Sequence, residues 1–272
     1  MASLPSFGEA PKIIFEENKN QWPDVVKFRA EIPGGNLFLE QNTFTYLYQE
    51  SINWHHDHRN ESGGPVKVHC HAYKMNFENA NPDAEISGNN RYAWHRNYYL
   101  GNDPKKWASD VPLYAQVYYK DLYENIDVQV YNVDNNLKYD IIVHEGGDPK
   151  NIRLKYDGTD GLHIQNGHLF IHTSAYDLLE QKPYAYQEIN GQKVEVPCSY
   201  VLKNNSVSFA VGDYDTSLPL VIDPTLIAAT YSGSQSDNWG FTATYDQGGN
   251  IYIGGIVTGA GYPYTVGAWD AT

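Results

Sequence analysis

Ten histidines and 33 acidic residues are the chain's material for metal binding and for acid–base work. His69 and His71 stand two apart in VKVHCHAYKMNF. That run reads as a strand, so both imidazoles point to one face. Two imidazoles on a sheet face plus one more ligand can hold zinc, and His95 is the candidate for the third position. The competing reading makes His69 and His71 strand residues bonded to backbone; it is the one expected, with no bound transition metal. His55, His56 and His58 surround Asp57 in the polar stretch 49–65, which reads as an exposed loop. Among the carboxylates, Asp140 lies between Tyr139 and Ile141 on an alternating run and is expected to be a satisfied structural group. Asp103, Asp134 and Asp148 sit at turns, where Asp bonds its own backbone. Calcium at such turns is chemically open, but no calcium-loop pattern is present. Neither a G-x-S-x-G, an H-E-x-x-H nor a P-loop occurs. No catalytic residue and no cofactor are assigned.

Five aromatics form a second group: Trp54, Trp94, Tyr98, Tyr99 and Trp107. Exposed, they would make a platform for a sugar or a protein. Buried, they are core, and core is the expectation for most of them. Cys70 and Cys198 are the only cysteines. An exported protein could bridge them; the alternative, and the one favoured, is two separate buried thiols on strands.

The elements that would carry these residues are strands. Ile126, Val128 and Val130 alternate with polar neighbours, as do Leu137, Tyr139, Ile141 and Val143, then Ile152, Leu154 and Tyr156. Period-two patterning buries one face of each run. Asp134-Asn135-Asn136, Glu145 to Pro149, Asn166-Gly167, Asn190-Gly191 and Lys203-Asn204-Asn205 punctuate the runs as turns, and the two Asn-Gly pairs read as tight hairpins. Asp103 is placed as the cap of one short helical turn over 104–108. Residues 79–90 read as a loop. The fold class is all-β, an antiparallel sandwich or meander, with helix below about a fifth of residues against a usual third. Residues 1–12 read as a flexible tail and 13–224 as the main domain, with packed sub-sheets over 13–100 and 110–224 as an option. After Pro224 the composition shifts to Gly, Ser and Thr, so 225–272 is set apart. That segment is too short to offset its own ordering entropy and is not expected to fold alone.

A net charge of -14 opposes nucleic acid and anionic lipid as partners. No apolar run approaches the ~20 residues of a membrane span. MASLPSFGEAPK lacks the apolar core of a signal peptide. Either the chain is cytosolic, or a leader was removed and a Met restored by cloning. The sheet- and turn-rich composition favours the second, an exported protein.

The tail DNWGF, then YDQGGNIYIGG, then GYPYT and GAW resembles one blade of an SBBP-type β-propeller repeat. FEENKNQWPDVVKFRAEIPGG, HAYKMNF, YYLGNDPKKWAS, LKYDIIVHEGGDPKNIRLKYDG, EQKPYAY and PLVIDPTL resemble, in that order, the domain of unknown function that precedes such repeats in large bacterial surface proteins. This resemblance covers most of the chain. It implies an incomplete first blade over 225–272, a fragment of a longer protein, and export by type IX secretion in gliding Gram-negative bacteria. It maps no catalytic residues. The implied role is a non-enzymatic extracellular module for adhesion, spacing or partner binding. Its partners would be a protein or glycan at the cell surface and the secretion machinery. The alternative is a carbohydrate-binding module or a component of a carbohydrate-active enzyme.

Overall fold

The computed structural model describes residues 13–49, 68–133, 136–175, 177–224, 226–227, 238–245 and 251–257. It divides into two compact units, Met1–Ala228 and Ala229–Thr272. The described residues hold strands and two 3-10 turns, with no α-helix.

In the first unit the chain lays down β1 (Phe15–Glu17), β2 (Phe28–Ile32), β3 (Gly35–Leu39), β4 (Thr43–Gln49) and β5 (Cys70–Phe77). The long hairpin β6 (Glu85–Tyr98) and β7 (Ala108–Tyr123) follows, then β8 (Ile126–Val133), β9 (Asn136–Val143) and β10 (Leu154–Asp157). β11 (Gly161–Gln165), β12 (His168–His172) and β13 (Asp177–Glu180) come next, then β14 (Tyr184–Ile189), β15 (Gln192–Val196), β16 (Cys198–Lys203), β17 (Ser206–Val211), β18 (Leu220–Asp223) and β19 (Leu226–Ile227). Two-residue turns make several of these hairpins. Asn166-Gly167, Asn190-Gly191 and Asn204-Asn205 all have positive φ at both positions, the geometry that matches strand twist and that Asn and Gly adopt cheaply.

Fifteen strands form one antiparallel sheet in the order β15-β14-β18-β9-β8-β7-β1-β2-β3-β4-β5-β10-β17-β16, with β6 added on β7. Residues 13–100 and 110–224 do not make separate sheets, because β1 pairs with β7 and β5 with β10. β7 is the hinge of the layout. β6 lines one of its edges from Ala108 to Lys120. Along the other edge, β1 meets Leu113 and Tyr114 while β8 meets 116–123. Two arms therefore leave β7, and their apolar faces meet. Phe44 on β4 lies 5.6 Å from Tyr119 on β7 and 6.3 Å from Tyr139 on β9, ring centre to ring centre.

Residues 79–90, read from sequence as a loop, belong in part to β6. Among the described residues that strand pairs only with β7, and it stays half-buried or exposed along its length. Nothing selects for apolar alternation on such a strand, so its pattern is silent.

A small sheet, β11-β12-β13-β19, completes the unit. It contributes Leu169, Ile171 and Leu178 to the core, and also Glu180, only 2% exposed. Tyr139 and Tyr200 both donate their hydroxyls to Glu180 Oε1, at 3.1 and 2.6 Å. Around them, Tyr46 stacks on Tyr73 at 4.8 Å, and Tyr73 on Tyr156 at 6.2 Å. Much of the chain's tyrosine is therefore core rather than surface.

The second unit contains a described hairpin, β20 (Asn238–Tyr245) with β21 (Ile251–Val257), antiparallel with a bulge between Gly240 and Thr242. The intervening 246–250 and the GYPYT and GAW motifs lie outside the described residues.

Burial pushes the Glu180 carboxyl up to about 7 from 4.5, against the opposing pull of its two tyrosine donors. The fold thus prefers the acid form. Its contribution is complete below about 4.5 and is lost as pH rises through about 7. Glu180→Gln stays neutral at every pH. In urea melts it should be more stable than the parent near pH 8, by on the order of 3 kcal/mol, and should converge with it near pH 4. A pH-independent gap would show that ionisation of Glu180 is not the cause.

Candidate functional site

The apex of the β6–β7 hairpin collects the aromatics singled out from sequence. Tyr98 pairs with Ala108 at the hairpin's end, and residues 99–107 form the loop beyond it. Trp94 is 48% exposed, Tyr99 59%, Leu100 73% and Trp107 42%. The expectation that most of these aromatics are core is thereby corrected. Past Leu113, β6 is the described strand that still pairs with β7, while Ala108 and Val111 on β7 remain buried. Tyr98 alone of the four is held inward. Trp54 lies outside the described residues.

The loop is built to keep its shape. Asp103 caps a 3-10 turn over Pro104–Lys106, accepting from the Lys105 N–H at 3.1 Å, as its placement in sequence suggested. Pro104 supplies the fixed φ of the first position. Trp107 donates its indole N–H to the Gly101 carbonyl at 3.3 Å, and the Tyr99 and Ser109 hydroxyls are 2.7 Å apart. Trp107 packs edge-on to Tyr99 at 5.8 Å, and Trp94 lies 5.7 Å from Tyr92.

Below the loop, one carboxylate ties the hairpin to the body. Glu16 on β1 is fully buried. It accepts from Arg29 at 3.0 Å, from Arg96 and from the Tyr98 hydroxyl. Trp22 closes the group, edge-on to Tyr98 at 5.6 Å and 5.8 Å from the Arg29 guanidinium carbon. Burial, and then the bond to Glu16, raise the Tyr98 phenol above its ordinary pKa. Because Arg96 and Tyr98 belong to β6, this cluster fixes where the apex points.

Residues 15–225 match a family described as a domain of unknown function, DUF7948. The chain belongs to that family. No curated protein and no solved structure matches it. The DUF7948 match takes in both the hairpin and the Glu16 cluster.

The other sequence candidates lie elsewhere on this DUF7948 domain. His71 is a strand residue with backbone and hydroxyl partners, Gly158 O at 2.7 Å and Ser174 Oγ at 2.8 Å. His69 is exposed just before β5, and His95 on β6 faces Asp110 at 3.2 Å. Four strands separate β5 from β7 in the sheet order, so His95 does not join His69 and His71. Among the described residues no group of three or more His, Cys, Asp or Glu has metal-binding geometry. His55, His56 and His58 fall outside the described residues. Cys70 and Cys198 are free thiols, and Cys70 is exposed rather than buried. β5 and β16 stand three strands apart in the sheet, roughly 14 Å at sheet spacing, well beyond the reach of a disulfide.

Asp148 caps a second Asp-Pro-Lys turn, as Asp103 does, and Asp134 lies outside the described residues. Asp140 accepts from the Tyr131 hydroxyl at 3.0 Å. Burial and the neighbouring Asp223 push its carboxyl up to about 6. Asp223 is itself paired with Lys138 at 2.8 Å.

Two features escaped the sequence reading. On β11–β13, His172 bonds Asp177 through Nδ1 at 2.7 Å and His163 through Nε2 at 3.0 Å. The alternation of His168, Phe170 and His172 around buried Leu169 and Ile171 was the available signal. Separately, a cleft of about 630 Å³ opens between the 18–27 turn and β6, lined by Glu17, Asn20, Asp24, Lys27, Ser87 and Tyr114 among others. Asn18 braces its rim through three backbone carbonyls. Tyr114 donates to Glu17 at 3.0 Å, and its ring lies so close to Gly88 that a Cβ there would come within 2.5 Å. Local strand patterning cannot announce a cleft assembled from segments so far apart in sequence.

Glu16→Ala would leave Arg29 and Arg96 facing each other without their shared anion. The expected cost is about 2 kcal/mol in denaturant melts, the range for losing hydrogen bonds to a charged group, because Arg29 and Arg96 are partly solvated. Hydrogen exchange should at the same time quicken in 92–110 more than in β2–β4. Uniform quickening would mean that Glu16 does not specifically anchor the hairpin.

Proposed function

We propose that this DUF7948 domain is a non-enzymatic binding module of a large secreted or cell-surface bacterial protein, with the β6–β7 apex as its contact surface. The observation that carries the reading is a braced loop presenting Tyr99, Leu100 and Trp107 to solvent, with Trp94 exposed on the adjoining strand β6, on a hairpin pinned through Glu16. Exposed large apolar side chains grouped on one protrusion are costly to keep unless something covers them. Aromatic anchors of this kind dominate binding energies where they occur. The resemblance to domains that precede SBBP repeats supports an extracellular place, type IX export and a role in adhesion or spacing. The β20–β21 hairpin, with DQGGN between its strands, supports reading the tail as the first strands of a propeller blade. The two facing arms of the main sheet support a sandwich architecture.

The test is binding of the purified chain to intact cells of a gliding Gram-negative bacterium, counted by flow cytometry. The pair Trp94→Ala and Trp107→Ala should lower the signal at least about tenfold with the melting temperature unchanged. Full binding by that variant would remove the apex from the contact.

The cleft favours a second reading, saccharide binding. Its amides, carboxylates and one tyrosine face are a set that grips hydroxyl-rich ligands, and its volume admits a short oligosaccharide. On a glycan array this reading expects selective binding without turnover, lost in Asp24→Ala with Lys27→Ala. Binding that survives those changes places any sugar site elsewhere.

A further inference from the structure

The charge at the apex runs opposite to that of the chain. Between residues 91 and 110 stand Arg91, Arg96, Lys105 and Lys106 against Asp103 and Asp110, in a protein of net charge -14. Arg96 is spent on Glu16 and Asp110 faces His95. Lys105 and Lys106 are exposed and have no acidic partner among the described residues. They occupy the same short loop as Tyr99, Leu100 and Trp107.

We infer, building on the apex as contact surface, that it docks on an anionic lipid surface. Three observations select this occupant. The apex is a protrusion, whereas sites for sugars and small molecules are concave. Its centre carries two lysines, a residue depleted from the cores of protein–protein interfaces. A strongly exposed aliphatic side chain, Leu100, in one loop with Tyr99, Trp107 and two lysines is the arrangement that suits a lipid–water boundary. There the indole and phenol rings sit at headgroup depth and the ammonium groups meet lipid phosphates. The loop's caps and side-chain bonds hold it ready, so docking orders little.

The acidity of the whole chain, which on sequence alone counts against anionic lipid, does not decide this contact. At physiological salt, charges more than about 8 Å away are largely screened, so the sign at the apex governs docking. No strand or loop crosses the bilayer in this arrangement.

The experiment uses the whole chain with unilamellar vesicles, either pure phosphatidylcholine or phosphatidylcholine with one third phosphatidylglycerol. Sedimentation should show binding to the second kind only, weakening as salt rises, with a blue shift of tryptophan emission. Leu100→Ala with Trp107→Ala should lower partitioning at least about tenfold. Lys105→Gln with Lys106→Gln should remove most of the salt dependence, with melting temperatures kept in both variants. Failure of the parent chain to bind anionic vesicles overturns the inference, as does equal binding by the Leu100/Trp107 variant. If vesicles are ignored while cell binding still depends on Trp94 and Trp107, the contact surface stands and its occupant is a protein or glycan. If cell binding is also independent of those residues, the proposed surface falls too.

Discussion

Glu180 is a carboxyl group placed where water cannot reach it, and the core is arranged around that fact. Its two donors come from opposite arms of the main sheet, Tyr139 from β9 and Tyr200 from β16. Glu180 itself comes from the small sheet between them. One polar atom thus fixes the relative position of three pieces of structure that hydrophobic contact alone would hold only loosely. Apolar burial is strong but has no direction; a buried acceptor with two hydroxyl donors has one. The stacked tyrosines around it add apolar area to the same core, and the buried Tyr156 hydroxyl among them has no hydrogen-bond partner among the described residues.

The hairpin is organised around a second buried carboxylate, Glu16, with the opposite emphasis. Glu180 has neutral donors and is driven toward its acid form. Glu16 has two guanidinium groups and a phenol within reach. The first knits the interior together; the second attaches a projecting element to the outside of the sheet. The exposed apex owes its rigidity to this attachment.

Period two and turn chemistry made most of the strands readable, because each amphipathic run and each Asn-Gly pair states its own geometry. The two Asp-Pro-Lys caps are local for the same reason. β6 could not be read this way, since a strand with one neighbour needs no apolar face. Glu180 was equally silent: Asp177-Leu178-Leu179-Glu180 looks like any strand ending in a surface acid, and only its partners on β9 and β16 reveal its burial. The aromatics were seen, but their exposure was not. Whether Trp94 or Trp107 is core depends on what packs against each side chain, which local alternation does not state. The same long-range geometry puts two strands, β10 and β17, between those that carry the two cysteines. The DUF7948 match marks the family's extent without assigning any of these roles.

The branching of the sheet at β7 also sets the order in which the chain can assemble. β2, β3 and β4 are joined by short turns and can zip together as they emerge during synthesis. β1 has only β2 beside it until β7 exists, and β5 waits longer still for β10. Pairings so distant in sequence require the closure of large loops before any contact rewards it. Until β7 is made, the nascent N-terminal strands expose an apolar face and an unpaired edge, the features that invite strands of other chains. Shielding these strands, or keeping them unfolded until β7 has been synthesised, removes that hazard.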